Sequence, residues 1–493
     1  MTISPEKYQT PTLPVVPTGL LIGGSWRPAT GGATIPVDNP ATGEILAEIA
    51  DGTEQDGVEA LRAAAAAQGA LQAMTPTERA RLLRRVETEL RDRIEEFALL
   101  ITAEMGKALP EARAEVTYSA DFFGWFADEA VRVAGDYRLS PNGSTRILVS
   151  HKPVGPCLLI TPWNFPLAMG ARKIAPALAA GCPSVLKPAG QTPLSSLLLA
   201  QVIESAGAPA GAVNVVTTSR SGAVTSAMIE TGVARKLSFT GSTAVGKILL
   251  EQCARHVMRT SMELGGNAPF LVFEDADLDA AVEGAIVAKM RNVGQACTAA
   301  NRFIVAAGIA QDFTTRLAAR IAAMESGPGW VEGVEVGPLV DDAAVAKFEE
   351  LLADAVAKGA TVVTGGGASS GRFVEPTVLA DVAEGSAVLA EEIFGPMAPV
   401  VTFTSDAEAV RLANDTEYGL VSYVYTRDLD RTLAMVDHLH TGMVGINVGV
   451  VSNAAAPFGG VKESGLGREG GFEGLSEYQD TTYAALPAPR PAP

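Results

Sequence analysis

Residues 157–166, with the sequence CLLITPWNFP, decide the fold class. The apolar run from Cys157 to Thr161 predicts a buried strand, and the proline-fenced residues after it predict a loop at the carboxyl end of that strand. Similar runs follow, separated by segments of helix length. The predicted strands are 184–187, 213–216 and 236–240, and the predicted helices are 168–180 and 194–206. This alternation indicates βαβ units that form a parallel sheet.

A second series of apolar runs predicts another α/β domain in the C-terminal half of the chain. Its predicted strands are 269–273, 302–305, 361–364, 400–403 and 422–425. We therefore predict an α/β protein with two parallel-sheet domains that join near Glu263. Parallel sheets bind ligands at the carboxyl ends of their strands, so we expect the functional residues in the loops that follow the strands.

Two other features are predicted outside these sheets. A helix is expected to start at the capping box Thr75-Pro-Thr-Glu78 and to stop at Gly106. Its apolar stripe consists of Leu82, Val86, Leu90, Ile94 and Phe97. Runs at 145–150 and 478–486 predict a separate pair of strands, whose open edges would favour association of subunits.

Composition and charge exclude several classes of function. The chain has 493 residues and a formal net charge of −18, whereas a nucleic-acid or anionic-membrane partner needs a basic face. No apolar run reaches the roughly 18 residues that span a bilayer. Residues 1–17 lack the layout of a signal peptide and are expected to form an extended arm. The four cysteines have no metal-ligand spacing, so we expect a cytoplasmic protein without a metal site.

The main chemical signal is a cysteine in Gly294-Gln-Ala-Cys297, together with an acid beside two glycines in Glu263-Leu-Gly-Gly-Asn267. This combination suggests a thiol nucleophile and a base, since a bare Gly-Gly backbone lets a ligand approach closely. The alternative from these residues alone is a buried apolar cysteine and a solvated glutamate.

Loops after the strands of the first domain add weaker signals. Asn164 can donate to a developing oxyanion, although an Asn in a proline-fenced turn is also an ordinary local structure. Lys187 ends the next strand, where it can meet ribose or phosphate oxygens or remain a surface lysine. The small residues Gly241, Ser242 and Gly246 follow the predicted strand at 236–240. They lie at the predicted start of a helix, where backbone N–H groups can bind an anion. By contrast, the G-x-G-x-x-G pattern at 465–470 lacks a βαβ context, and we interpret it as a glycine-rich loop.

With these motifs the chain resembles the aldehyde dehydrogenase superfamily over nearly its whole length. The matching motifs occur in family order: NPATG at 39–43, PWNFP at 162–166, KPA at 187–189, FTGS at 239–242, ELGG at 263–266, GQAC at 294–297 and EEIFGP at 391–396. The resemblance implies NAD(P)-dependent oxidation of an aldehyde to a carboxylic acid. It also implies a homodimer or homotetramer with a Rossmann-like cofactor domain at 18–136 and 158–263, a catalytic domain at 264–472, and oligomerisation strands at 137–157 and 473–493.

The resemblance assigns a role to each motif. Cys297 attacks the carbonyl carbon, Asn164 and the Cys297 backbone N–H hold the oxyanion, and Glu263 activates the water that hydrolyses the thioester. The residues implied in cofactor binding are Trp163, Lys187, Gly190, Gly241, Ser242, Gly246, Leu264, Glu392 and Phe394. Many NAD-preferring relatives carry Glu at the position of Gly190, so we predict that NADP is preferred and that NAD is possible.

Three segments resemble the succinate-semialdehyde dehydrogenase branch of that superfamily: AMGARK at 168–173, MRNVGQ at 290–295 and VSN at 451–453. In that branch two arginines and a serine hold the distal carboxylate of the substrate, which implies this role for Arg172, Arg291 and Ser452. We predict succinic semialdehyde as the substrate, with glutaric semialdehyde or another short aldehyde as the alternative. The second cysteine that some relatives carry two positions after Cys297 is Ala299 here, so their thiol switch is not expected.

Three rival functions compete with this one. A cysteine hydrolase usually pairs the thiol with a histidine. The chain's four histidines, none in a recognisable motif, are His151, His256, His438 and His440. A non-catalytic binding protein remains compatible with the composition. A CoA-acylating dehydrogenase is disfavoured, because Glu263 favours hydrolysis by water.

Overall fold

The structure is a computed structural model that describes residues 9–488. The first eight residues of the predicted arm, and residues 489–493 of the predicted oligomerisation segment, lie outside the described part. Within it, the chain forms twenty strands and fifteen α-helices.

The strands are β1 (Leu20–Ile22), β2 (Ser25–Arg27), β3 (Thr34–Asp38), β4 (Ile45–Ala50), β5 (Asp136–Leu139), β6 (Thr145–Pro153), β7 (Cys157–Ile160), β8 (Ser184–Lys187), β9 (Val213–Val215), β10 (Lys236–Thr240), β11 (Arg259–Glu263), β12 (Ala268–Val272), β13 (Ala300–Ala306), β14 (Thr361–Thr364), β15 (Thr377–Ala380), β16 (Met397–Phe403), β17 (Val421–Tyr425), β18 (Met443–Ile446), β19 (Gly465–Leu466) and β20 (Gln479–Pro487). The helices are α1 (Glu54–Ala73), α2 (Pro76–Asp92), α3 (Ile94–Met105), α4 (Leu109–Ala130), α5 (Ala168–Ala180), α6 (Leu194–Ser205), α7 (Ser221–Glu230), α8 (Thr243–Ala254), α9 (Leu278–Met290), α10 (Ala310–Ala322), α11 (Asp342–Ala357), α12 (Ala387–Ala390), α13 (Asp406–Asn414), α14 (Leu429–His438) and α15 (Gly471–Ser476).

The first sheet has the strand order β19-β11-β10-β7-β8-β9-β1-β2. Its five central strands are parallel, and β1, β2 and β19 are antiparallel additions at its ends. Every residue of β7 and β8 is buried, because helices cover both faces of a parallel sheet. The strands and helices predicted for this part are confirmed, each end within one residue of its predicted position.

The second sheet has the order β14-β15-β16-β13-β12-β17-β18 and is parallel except for the β14/β15 pair. Its five predicted strands are present as β12, β13, β14, β16 and β17. The sequence did not predict β15 and β18, each only four residues long. The predicted class, an α/β protein with two parallel-sheet units, is confirmed.

A third, small sheet joins β20, β6 and β5. β6 pairs with β20 along its whole length, from Thr145 opposite Pro487 to Pro153 opposite Gln479. This pairing confirms the predicted pair of strands. β5 is an addition, because its largely exposed DYRL residues form no apolar run. In the described chain the outer edges of β20 and β5 have no strand partner.

The predicted single helix from Thr75 to Gly106 is wrong in one respect, since it is divided into α2 and α3 at Arg93. The capping box is present, with Thr75 accepting from the Glu78 N–H, and Gly106 ends α3 with φ 95°. Arg93 leaves the helical region at φ −108° and ψ 25°. Its guanidinium binds the carboxylates of Glu89 and Glu96, one from each helix, which stabilises the bend.

The predicted motifs lie where the two large sheets meet. β7, β10 and β11 end at this place, and β12 and β13 begin just after Glu263 and Cys297. The predicted glycine-rich loop at 465–470 also reaches it. That loop is not wholly irregular, because Gly465 and Leu466 form β19 against the end of β11. Among the described residues, no helix is long and apolar enough to cross a membrane.

Candidate active site

A cavity of about 430 Å³ lies between the two large sheets. Most of the sequence-predicted site residues line it: Trp163, Asn164, Arg172, Gly241, Ser242, Leu264, Arg291, Cys297, Glu392, Phe394 and Ser452. Four others lie outside its lining: Lys187, Gly190, Gly246 and Glu263. The fold therefore brings residues from five separate motifs to one concave site.

The loop that presents Cys297 has an unusual backbone. After α9 ends, Asn292, Val293 and Gly294 all have positive φ, at 57°, 59° and 72°. Such a conformation costs of order 1–3 kcal/mol for a residue other than glycine, and Val293 is β-branched, which makes it a clear outlier. The loop is held by its contacts. Asn292 donates its backbone N–H to the Glu111 carboxylate at 3.0 and 3.1 Å.

Asn164 connects this loop to the first sheet. Its side-chain Nδ2 donates to the Gln295 carbonyl at 2.9 Å, and its own carbonyl accepts from Asn292 Nδ2 at 3.0 Å. Asn164 is 4% exposed. Since one amide N–H is committed to Gln295, the other remains to donate towards the cavity.

Two charged residues that the sequence analysis missed support Asn164. Lys107 donates to the Asn164 carbonyl at 2.8 Å and to the Glu115 carboxylate at 2.6 Å. The other Glu115 oxygen accepts from the backbone N–H groups of Leu167 and Ala168, at 3.0 and 3.1 Å. A lysine and a glutamate eight positions apart form no motif, so no signal in the sequence could have identified them.

Steric crowding explains why the second glycine of ELGG, Gly266, cannot carry a side chain. A Cβ built on Gly266 would lie 2.5 Å from the carbonyl oxygen of Cys297, which is closer than atoms can approach. Glycine is therefore needed for the link between β11 and β12 to pass beside the loop that carries the cysteine. The Gly266 N–H donates to the Glu392 carboxylate at 3.2 Å, so the same position also anchors an acid of the cavity wall.

The Cys297 thiol is partly exposed to the cavity. Burial of the site raises the pKa of this thiol to about 12, and the nearby Arg172 and Arg291 only partly oppose that effect. At neutral pH the group is therefore a thiol rather than a thiolate. A nucleophilic role requires that its proton be removed as the reaction proceeds.

Glu263 lies at the end of β11 and is 2% exposed. Burial and the neighbouring Glu469 carboxylate raise the pKa of Glu263 well above its ordinary value, against the attraction of Arg172 and Lys173. Within residues 9–488, neither of its oxygens has a hydrogen-bond partner. No hydrogen bond therefore anchors its carboxyl group at the edge of the cavity.

Glu469 is a further residue that the sequence analysis missed. It lies in the loop at 465–470, and its two oxygens face Arg172 Nη2 at 2.8 Å and Lys173 Nζ at 2.5 Å. The Arg172 guanidinium also lies 4.0 Å from the centroid of the Phe458 ring. Arg172 therefore already has a carboxylate partner inside the protein, which it shares with Lys173.

Arg291 has a different environment. Its Nη2 donates to the Thr298 hydroxyl at 3.2 Å, and its guanidinium lies 5.5 Å from the centroid of the Phe165 ring. In the described part of the chain no carboxylate forms an ion pair with it. Arg291 therefore presents an uncompensated charge at the cavity wall.

The groove suited to a nicotinamide cofactor is partly aromatic. The Trp163 and Phe394 rings meet edge to face with centroids 5.4 Å apart, and Phe394 has a positive φ of 51°. Ser242 caps the start of α8. Gly246 lies one turn further on, where an added Cβ would meet the Leu264 side chain at 2.5 Å. Its observed role is therefore close packing of α8 on Leu264.

Lys187 lies beside this groove, at the carboxyl end of β8. Its ammonium donates to the Pro188 carbonyl and to the Ser221 hydroxyl, both at 3.1 Å, and burial lowers its pKa to about 8. A Cβ on Gly190 would have only the Thr218 carbonyl within 4 Å, at 3.8 Å. The space beside Lys187 is therefore open.

Two kinds of chemistry find no support here. Among residues 9–488, no group of three or more His, Cys, Asp or Glu side chains is arranged to hold a metal ion. The four histidines all fall in this range, and none lines the cavity. A histidine-assisted cysteine hydrolase therefore lacks its base.

Comparison with known proteins gives a consistent result. The model of the aldehyde dehydrogenase family matches residues 26–483. The chain is 55% identical to a succinate-semialdehyde dehydrogenase of Paenarthrobacter nicotinovorans, covering 90% of this chain and 99% of that protein. It is 48% identical to a glutarate-semialdehyde dehydrogenase of Pseudomonas putida, covering 94% and 97%. A crystal structure of an E. coli NADP dependent enzyme is similar with a TM-score of 0.95 at 47% identity, covering 96% and 98%.

The raised pKa of Cys297 predicts how its reactivity depends on pH. Well below a pKa of about 12, the thiolate fraction and hence the alkylation rate rise roughly tenfold for each pH unit. Mass spectrometry of the protein treated with iodoacetamide between pH 7 and 9 measures this rate. In the Cys297→Ser control, labelling should nearly vanish, because the other three cysteines are buried. A plateau below pH 8 would contradict the assignment.

Proposed function

The chain belongs to the aldehyde dehydrogenase family, and on that premise we propose that it oxidises succinic semialdehyde to succinate with NADP as the preferred cofactor. The observation that carries the proposal is the lining of a single cavity by Cys297 and by the uncompensated Arg291. A nucleophile and a cation on the wall of one cavity suit an aldehyde that ends in a carboxylate.

In the proposed reaction, Cys297 sulfur bonds to the aldehyde carbon, the carbonyl π bond opens to an oxyanion, and the thiol proton passes to solvent water. The free N–H of the Asn164 amide and the Cys297 backbone N–H stabilise the oxyanion that forms. A nicotinamide held beside Glu392 and Phe394 would supply the hydride acceptor, and loss of hydride from the former aldehyde carbon would leave a thioester on Cys297. Glu263 then takes a proton from the water that attacks the thioester, and the C–S bond breaks as the acid is released. The raised pKa of Glu263 supports this role, because its ionised carboxylate is then a stronger base than that of an ordinary glutamate.

The residues beside the groove fit the cofactor. Lys187 and Ser221 offer donors for ribose or phosphate oxygens, and Glu392 and the Phe394 ring would meet the nicotinamide half. The open space at Gly190 supports NADP, because no carboxylate there would repel a 2′-phosphate. The similar E. coli structure is described as that of an NADP dependent enzyme.

Gly190→Glu tests the preference for NADP. The added carboxylate should lower kcat/KM for NADP roughly 10- to 100-fold through like-charge repulsion and should raise or preserve it for NAD. Steady-state rates with both cofactors measure the change. Gly69→Glu, on α1 where an added Cβ meets nothing within 4 Å, controls for charge alone. A wild type that prefers NAD tenfold would contradict the proposal.

Arg291→Ala tests the choice of substrate. Loss of one partner of a buried charge pair costs about 2–4 kcal/mol, so kcat/KM for succinic semialdehyde should fall roughly 30- to 1,000-fold. The uncharged butanal should lose less than about threefold. Arg113→Ala, an exposed arginine of α4 paired with Glu95, is the matched control. Equal use of the two aldehydes by the wild type would exclude a carboxylate site.

Glutaric semialdehyde is the second candidate substrate. One of the similar proteins is named a glutarate-semialdehyde dehydrogenase, and this aldehyde is longer by one methylene group. A methylene in an apolar pocket is worth only about 1–3 kcal/mol in discrimination. We therefore expect measurable turnover of both, which a side-by-side kcat/KM comparison would rank.

We further propose a homodimer or homotetramer in the cytoplasm. The edge strands β5 and β20 support association, because they expose Tyr137, Leu139, Tyr483 and Leu486 and edges of this kind favour pairing. All four cysteines, each within the described residues, are free, which supports a reducing compartment.

Removal of residues 479–493 tests the assembly, since it leaves β6 without its partner along nine residue pairs. The truncated protein should be monomeric or insoluble. Sedimentation at micromolar concentration measures its state, and a chain that lacks only 489–493 is the control. A wild-type monomer would contradict the proposal.

A further inference from the structure

Tyr118, on α4, lines the cavity but belongs to none of the sequence motifs. Its hydroxyl oxygen is buried, and in the described structure it has no hydrogen-bond partner. Buried tyrosine hydroxyls usually find one. The ring itself is fixed, since it packs edge-on against Phe122 with centroids 4.9 Å apart. The hydroxyl is therefore a fixed polar group at the cavity wall that is able to bind a ligand.

The surroundings of Tyr118 are cationic and polar. Burial and the Glu469 charge raise the pKa of its phenol, while the charges of Arg172 and Arg291 and a close contact with the Ser452 side chain lower it. The three residues are thus close enough to influence the hydroxyl, which nevertheless stays protonated at neutral pH. A protonated phenol beside an arginine can donate to an anion that the arginine binds.

The charges around this end of the cavity can be counted. Three cations line it, and two of them have a carboxylate partner: Lys107 pairs with Glu115 at 2.6 Å, and Arg172 pairs at 2.8 Å with Glu469, which Lys173 also shares. The third, Arg291, has only the Thr298 hydroxyl as a side-chain partner among the described residues. Burial raises the pKa of the nearby Glu111, which favours its neutral form. Among the described residues, Arg291 is therefore the lining cation that has no carboxylate partner and is free to meet a ligand.

We propose that Tyr118 is a specificity-determining residue that donates its hydroxyl to the distal anionic group of the aldehyde, in a subsite matched to a single negative charge. The proposal rests on the proposed oxidation of an ω-carboxylated aldehyde and defines its substrate class. A carboxylate satisfies Arg291, Tyr118 and Ser452 together. A phosphonate dianion brings a second charge for which the subsite has no free cation.

Tyr118→Phe tests the residue, because it removes one oxygen atom and keeps the ring. The KM for succinic semialdehyde should rise roughly 10- to 100-fold, as for loss of a hydrogen bond to a charged group, while kcat stays within about twofold. Butanal should show less than a twofold change in kcat/KM. Tyr137→Phe, an exposed tyrosine of β5, is the matched control. Equal losses for both aldehydes, or no change for either, would overturn the proposal.

A phosphonate-ended aldehyde of the same length tests whether the subsite is matched to a single negative charge on the substrate. The wild type should use it at least tenfold less efficiently than succinic semialdehyde, and equal efficiency would overturn the single-charge subsite. Arg291→Ala distinguishes failure of the proposed function from failure of the role of Tyr118. If that variant keeps full activity towards succinic semialdehyde, the proposed function fails. If it loses activity while Tyr118→Phe does not, only the role of Tyr118 fails.

Discussion

The hydrogen bonds of Asn164 connect the first sheet to the loop that precedes β13 of the second sheet. Its carbonyl accepts from Asn292 Nδ2, and its side chain donates to the Gln295 carbonyl at 2.9 Å. Each bond therefore joins the end of a first-sheet strand to the loop that carries Cys297. The loop adopts a costly left-handed backbone at Asn292 and Val293, and it keeps that shape only because such contacts over-determine it. The fold therefore fixes the position of the Cys297 thiol but does not activate it as a thiolate.

Burial sets the protonation of the groups at the site. It raises the pKa of Cys297 to about 12 and the pKa of Glu263 well above its ordinary value. Glu469 links these effects, because it compensates Arg172 and Lys173 and also disfavours the charged form of Glu263. Cys297 thus rests as a thiol, burial shifts Glu263 towards its neutral form, and Arg291 is the lining cation without a carboxylate partner among the described residues.

Much of this arrangement could be predicted from the sequence. Runs such as 184–187 marked strands because both faces of a parallel strand are buried. The Gly-Gly pair was expected to let a ligand approach, whereas at Gly266 the close neighbour is the Cys297 carbonyl. The division of one helix at Arg93 was not predictable from an apolar stripe that continues through it. Glu469 escaped detection because its partner Lys173 lies 296 positions away. The place of Tyr118 in the cavity could not be predicted, because a single tyrosine on a helix forms no sequence pattern.

The most direct test of the account concerns the thioester on Cys297. Glu263→Gln removes the base but leaves the nucleophile, so mixing this variant with succinic semialdehyde and NADP should form NADPH in a single turnover. Mass spectrometry should then find a succinyl group on Cys297 that persists, whereas Cys297→Ser should show neither NADPH nor adduct. Steady turnover by Glu263→Gln at the wild-type rate, or NADPH formation without any adduct, would contradict the account.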